Sequence, residues 1–195
     1  MKNLRNFLMA AVSLVVMMYL SACYLPEDFD VTITVRRDGS YTFRYDGNLI
    51  FALALASMED GKLSKKDEAS LKEQAKEIQK SPGFKKAKYI GNARYKVLME
   101  QSGKAGEDYY FISKEMSFFS IKGQDDGTLE IKALKLSEKD IEELKTSDFN
   151  IEGSLSVTIA KGLKVIEHNA RTVSSGVYRW KIKNPETAPL IIVKP

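Results

Sequence analysis

The chain has 195 residues, 30 basic and 26 acidic, for a formal net charge of +4. A hydrophobic share of 44% suits a globular domain with a sizeable core, and the mild charge excludes the concentrated basic excess of a dedicated nucleic-acid binder. One cysteine and one histidine leave neither a disulfide framework nor a His/Cys set for a structural zinc site.

At the N-terminus, Lys2 and Arg5 precede an apolar run over residues 7–20 that only Ser13 interrupts. A charged start, an apolar middle and the small residues Ser21 and Ala22 are the three parts of a secretory signal. The run is shorter than the roughly 20 residues that span a bilayer. Leu20-Ser21-Ala22-Cys23 resembles the lipobox of bacterial lipoprotein precursors, an aliphatic residue and two small ones before the modified cysteine. That resemblance implies cleavage between Ala22 and Cys23, a diacylglyceryl group on the Cys23 sulfur and acylation of the freed amine. Each buried CH₂ contributes about 0.8 kcal/mol, so two or more chains anchor stably. In Gram-negative lipoproteins an Asp after the cysteine often signals inner-membrane retention; Tyr24 stands there, so the resemblance favours the outer membrane facing the periplasm, and a Gram-positive host would put the protein at the cell surface. The alternatives are an uncleaved anchor and an ordinary signal with an incidental cysteine. Removing residues 1–22 leaves a net charge of +2.

Residues 23–30 read as a lipidated acidic tether, with Glu27, Asp28 and Asp30, and residues 31–195 as a single domain. Val31, Ile33 and Val35 alternate with polar residues, Asp38-Gly39 supplies a turn, and Tyr41, Phe43 and Tyr45 return on one face: a hairpin. Leu49 to Ala56 is apolar all round and reads as a short helix, either in the core or against lipid. Ser64, with Asp67 three residues on, caps a helix to about Lys80 with the stripe Leu71, Ala75 and Ile78; Pro82-Gly83 ends it.

Phe84–Tyr89 and Arg94–Met99 form a second hairpin around Gly91-Asn92. Strands follow over 109–112, 116–121 and 128–134, then a second helix from Ser137, with Asp140 at the capping position and Leu136 and Ile141 as a hydrophobic staple. The remaining strands are 151–159, 163–166, 178–182 and 190–193. Strands dominate, with two or three helices inserted between hairpins, so the fold class is α+β with a largely antiparallel sheet behind the signal peptide.

Chemistry is sparse. There is no nucleophile elbow, P-loop, dinucleotide fingerprint or EF-hand spacing, and His168 reads as a surface or turn residue bonding locally. Carboxylates are plentiful but nothing in the sequence selects a catalytic pair. The suggestive cluster is basic: Lys86, Lys88, Arg94 and Lys96 share the outer face of the second hairpin if it pairs around Gly91-Asn92. Such a patch would attract anionic head groups or a partner; equally, it is an ordinary solvated face that protects a sheet edge.

Near the C-terminus, Lys164-Val165-Ile166-Glu167-His168-Asn169-Ala170 is followed by Gly176-Val177-Tyr178-Arg179-Trp180-Lys181-Ile182. A strand leading to Asn, then a hairpin return with Trp and a basic residue, resembles the end of the LppM-type lipoprotein family. The N-terminal order of lipobox cysteine, alternating strand and Asp-Gly turn is similar to it too. The resemblance covers about a third of the chain and implies a lipid-anchored β-rich domain with packed helices that binds lipids or glycolipids. By their residue types alone, Asn169 is a turn residue and Trp180 a large core aromatic.

The expectation is therefore a non-enzymatic envelope lipoprotein held at the membrane through Cys23, without metal or cofactor, that binds a lipid, a glycolipid or another envelope component. The alternatives are an assembly partner in an envelope protein complex and an envelope hydrolase.

Overall fold

A computed structural model describes residues 24–58, 62–114, 117–137, 139, 151–183 and 188–195. Ala22 and Cys23, the signal segment, and the Asp140 and Ile141 of the expected second helix lie outside the described residues.

The fold is α+β and is built on two sheets. In chain order the elements are β1 (Tyr24–Val35), β2 (Tyr41–Phe51), α1 (Ala52–Ala56), α2 (Lys65–Lys80), β3 (Phe84–Gly91), β4 (Arg94–Gly103) and β5 (Tyr109–Ile112). There follow β6 (Ser117–Gly123), β7 (Leu129–Ala133), β8 (Glu152–Ile159), β9 (Lys164–His168), β10 (Thr172–Ser174), β11 (Val177–Lys183) and β12 (Leu190–Lys194). The seven-stranded sheet has the order β10-β11-β8-β1-β2-β4-β3, and the five-stranded sheet the order β5-β6-β7-β12-β9. Among the described residues β1 and β8 are parallel, with Ile33 opposite Val157, and the other pairs are antiparallel.

The first hairpin turns where the sequence placed it. The Asp38 carboxylate accepts from the Ser40 backbone N–H at 3.0 Å and from its hydroxyl at 2.7 Å, and Gly39 takes φ +78°. Two sequence expectations change here. Tyr24 to Asp30, expected as a tether, is the first half of β1: Tyr24 pairs with Phe51, Leu25 with Ile50 and Pro26 with Leu49. Of the expected helix over Leu49–Ala56, only Ala52–Ala56 is helical, because Leu49, Ile50 and Phe51 finish β2. Leu49 and Ile50 are flanked by β1 and β4, and a strand paired on both sides has the same continuous apolar run as a buried helix.

The sheets stack face to face through aromatic side chains. Phe43 and Tyr45 of β2 meet Phe111 of β5 at ring-centroid distances of 5.2 and 4.6 Å, and Phe29 of β1 meets Phe119 of β6 at 5.7 Å. Each such ring buries about 150–250 Å² and dominates the core's stabilisation. Helix α2 begins as expected: the Ser64 hydroxyl accepts from the Asp67 backbone N–H at 3.2 Å, and Asp67 and Glu68 occupy the first turn. Its Leu71 and Ala75 are buried.

Candidate functional site

The five-stranded sheet and α2 share the inner face of the larger sheet and leave a gap between them. An open groove of about 1190 Å³ runs there. Its apolar surface comes from Leu49 and Phe51 of β2, Phe84 of β3 and Met99 of β4. Helix α2 contributes Leu71, Gln74 and Ile78, and β5 contributes Tyr109, Phe111 and Ile112. Helix α1 adds Leu53 and Ala54, and Tyr24 at the start of β1 completes the lining. The segment Leu49–Ala56 therefore does two things: Leu49, Ile50 and Ala54 are buried, while Leu53 is 56% exposed at the groove.

Gln74 and Tyr24 of the groove wall join a hydrogen-bond chain that continues to Tyr95 beneath it. The Tyr95 hydroxyl donates to Gln74 Oε1 at 2.7 Å, and Gln74 Nε2 donates to the Tyr24 hydroxyl at 3.0 Å. One α2 side chain thus ties the helix to β1 and β4. Tyr24 also lies 5.3 Å from the Phe51 ring. Burial pushes the Tyr95 and Tyr109 hydroxyls well above the ordinary tyrosine value, and burial with the Glu68 hydrogen bond pushes Tyr89 up to about 12. All three stay neutral at physiological pH and act as hydrogen-bonding groups, not as bases. Ile112 sits at the irregularity in the β5–β6 ladder with φ +80°, a conformation that costs a β-branched residue of order 1–3 kcal/mol.

The groove's α2 rim is polar, with Asp67, Ser70, Glu73, Glu77 and Lys80. Glu73 pairs with Lys76 and Glu77 with Lys80, each at 2.7 Å and well exposed. Such pairs contribute little stability. They leave carboxylate and hydroxyl oxygens along the opening.

The basic residues singled out from sequence do share one face. Lys88 lies opposite Lys96, and Lys86, Lys88, Arg94 and Lys96 alternate with the buried Ala87, Tyr89, Tyr95 and Val97. Two of the four are engaged by carboxylates. Arg94 holds Glu27 through Nε at 2.7 Å and Nη2 at 3.0 Å, and Lys96 lies 3.2 Å from Asp46. Lys86 and Lys88 remain without a carboxylate partner among the described residues. His168 is exposed; its Nδ1 accepts from the Ala170 backbone N–H at 3.2 Å, and its ring lies 4.9 Å from that of Tyr178.

Most of the groove was not visible in sequence. Leu49–Ala56 was noticed, but Phe84, Met99, Phe111 and Gln74 each read as unremarked strand or helix residues. Seven elements assemble the lining, and no local pattern records their meeting.

No family model and no curated protein matches the chain. Among solved structures, the folded domain of the LppM protein of Mycobacterium tuberculosis, determined by NMR, is similar at 14% identity. The match covers 85% of this chain and 86% of that one, with a TM-score of 0.38, a likeness too slight to assign a ligand or a role.

Proposed function

We propose that the protein is a non-enzymatic envelope lipoprotein, held at the membrane through acylated Cys23, and that its groove binds the acyl chain of an envelope lipid or glycolipid. The observation that carries this reading is the groove between α2 and β5, about 1190 Å³ and lined mainly by Leu, Ile, Phe, Met and Tyr side chains. Typical small-ligand pockets hold roughly 300–1,000 Å³, so the space suits a larger amphiphile. The α2 rim, with Asp67, Ser70 and the ion-paired Glu73, Glu77 and Lys80, offers hydrogen-bonding groups to a polar head group. The lipobox supports the anchor, and Tyr24 in the groove lining puts Cys23 one residue from it. The outer membrane facing the periplasm is the expected address.

Native mass spectrometry of the full chain after exposure to envelope extract tests the binding. A lipid adduct that Leu71→Arg abolishes supports it; repeated recovery of the bare protein refutes it. A second reading, an assembly partner in an envelope complex, is favoured by Ile166 on β9 and Val173 on β10, which are 50% and 47% exposed on edge strands. Crosslinking in intact cells that captures reproducible protein partners and no lipid would favour it.

A further inference from the structure

The chain leaves the described structure at Tyr24, and three other features close the same end of the seven-stranded sheet. Tyr24 pairs with Phe51, from which α1 continues, and the Phe51 backbone N–H donates to the Ala93 carbonyl at 2.8 Å in the β3–β4 turn. The Tyr89 hydroxyl donates to Glu68 Oε1 at 2.8 Å, which fixes the first turn of α2 there too.

This end carries Leu53 and Ile90, 56% and 49% exposed, two of the four large hydrophobic side chains most exposed among the described residues. Lys62, Lys65, Lys66 and Lys88 surround it, exposed and without a carboxylate partner among the described residues. Elsewhere on the sheet Arg44 and Lys96 are paired with Asp46 and Lys183 with Glu152, whereas Lys86, Arg179 and Lys181 have no carboxylate partner among the described residues; at this end Arg94 is held by Glu27. The carboxylates near the α2 start have local partners, Asp67 with the Ser64 hydroxyl and Glu68 with Tyr89. Glu59 and Asp60 fall outside the described residues.

We infer that this end is a bilayer-contacting surface: Leu53 and Ile90 enter the interface of an anionic membrane, the four lysines meet its head groups, and the groove opens beside the lipid surface. Exposed apolar side chains beside lysines that have no carboxylate partner among the described residues have the chemistry of an interfacial membrane contact. Because β1 begins at Tyr24, no flexible tether separates the domain from an anchor on Cys23, so an acylated Cys23 holds this end against the bilayer. The inference rests on the proposed reading of Cys23 as the point of attachment. It does not require the groove to be filled.

The test uses the full chain, purified with its anchor and reconstituted in phosphatidylglycerol-containing vesicles carrying brominated acyl chains. Leu53→Trp, Ile90→Trp and Val173→Trp are each read as added fluorescence over the parent, which contains Trp180. Val173 is a matched control at 47% exposure. Its partner Tyr178 pairs with Val157, which in turn lies opposite Ile33, nine residues and about 30 Å along β1 from Tyr24. The expected result is strong quenching at positions 53 and 90 and none at 173. Replacing Lys62, Lys65, Lys66 and Lys88 together by Gln should lower the quenching at Leu53→Trp. Equal quenching at all three positions, or quenching confined to Val173→Trp, overturns the proposal. Leu53 also lines the groove, so Ile90→Trp reads the surface alone; a fluorescent fatty acid added to the same samples reads the groove, and either result can fail while the other stands.

Discussion

The indole Nε1 of Trp180 donates to Oδ1 of Asn169 at 2.8 Å. The same oxygen accepts from the Leu190 backbone N–H at 2.9 Å, and Asn169 Nδ2 donates to the Ala188 carbonyl at 2.8 Å. Asn169 lies between β9 of the smaller sheet and β10 of the larger, so one amide side chain joins β11 in one sheet to the start of β12 in the other. Asn169→Ala leaves the indole N–H and a backbone N–H without this acceptor. Partial solvent access limits the cost, and the expected loss is about 1–2 kcal/mol, read as a lower denaturant midpoint with an unchanged slope.

Phe29 is flanked by glycine on both neighbouring strands. It lies opposite Gly153 of β8, where an added Cβ would collide with the Phe29 carbonyl oxygen and with its ring, and a Cβ at Gly47 would come within 2.6 Å of Phe29 Cβ. These glycines make room for a ring that packs against Phe118 and Phe119. Gly153→Ala is expected to lose about 1–3 kcal/mol by overpacking. A Phe29→Leu background removes the ring contact and leaves the carbonyl one, so it should relieve only part of the cost, a coupling that a double-mutant cycle reads directly.

Arg94 and Glu27 form a two-pronged pair with side chains 20% and 11% exposed. Breaking a fully buried pair costs about 3–5 kcal/mol. With this residual exposure, Arg94→Met should lose about 2–3 kcal/mol, discounted for solvent screening, and Arg94→Met with Glu27→Leu should recover part of it. Lys88→Ala should change stability by less than about 0.5 kcal/mol. The contrast separates a cation that holds the sheet together from an exposed one without a carboxylate partner among the described residues, a distinction the shared alternation of these residues conceals.

Tyr41 is held at about 12, raised from 10.0 mainly by burial and then by the nearby charges of Glu107 and Asp108; Tyr95 and Tyr109 are raised further by burial. A phenol whose folded value exceeds its unfolded value binds its proton more tightly in the native state, so its stabilising contribution is complete below about pH 10 and lost as pH rises towards 12. Stability should therefore be insensitive to these groups at neutral pH and fall between about pH 10 and 12. Tyrosinate absorbance and circular dichroism followed together check this. A substantial tyrosinate signal from the buried rings near pH 10 with the fold intact would contradict it.

Much of the fold was legible because its signals are local. The Asp38-Gly39 turn, the Ser64 cap and the alternation around Trp180 each need only a few adjacent residues. The α+β class followed from them. The division into two sheets was not legible: β12 lies between β7 and β9, and β1 pairs in parallel with β8, contacts made across more than a hundred residues of chain in the second case. Tyr24–Asp30 was misread because acidic residues suggest a solvated tether, whereas Glu27 is buried against Arg94. The groove was legible only in Leu49–Ala56, and there the apolar run hid the change from strand to helix at Phe51.

The proposed occupant of the groove between α2 and β5 is an acyl chain. A photoreactive fatty acid, irradiated with the full chain and mapped by peptide mass spectrometry, tests it most directly. Adducts are expected on peptides carrying Leu71, Met99 and Phe111, lost when unlabelled fatty acid competes. Adducts confined to the outer sheet face around Arg179 and Lys181, or none above background, would contradict it.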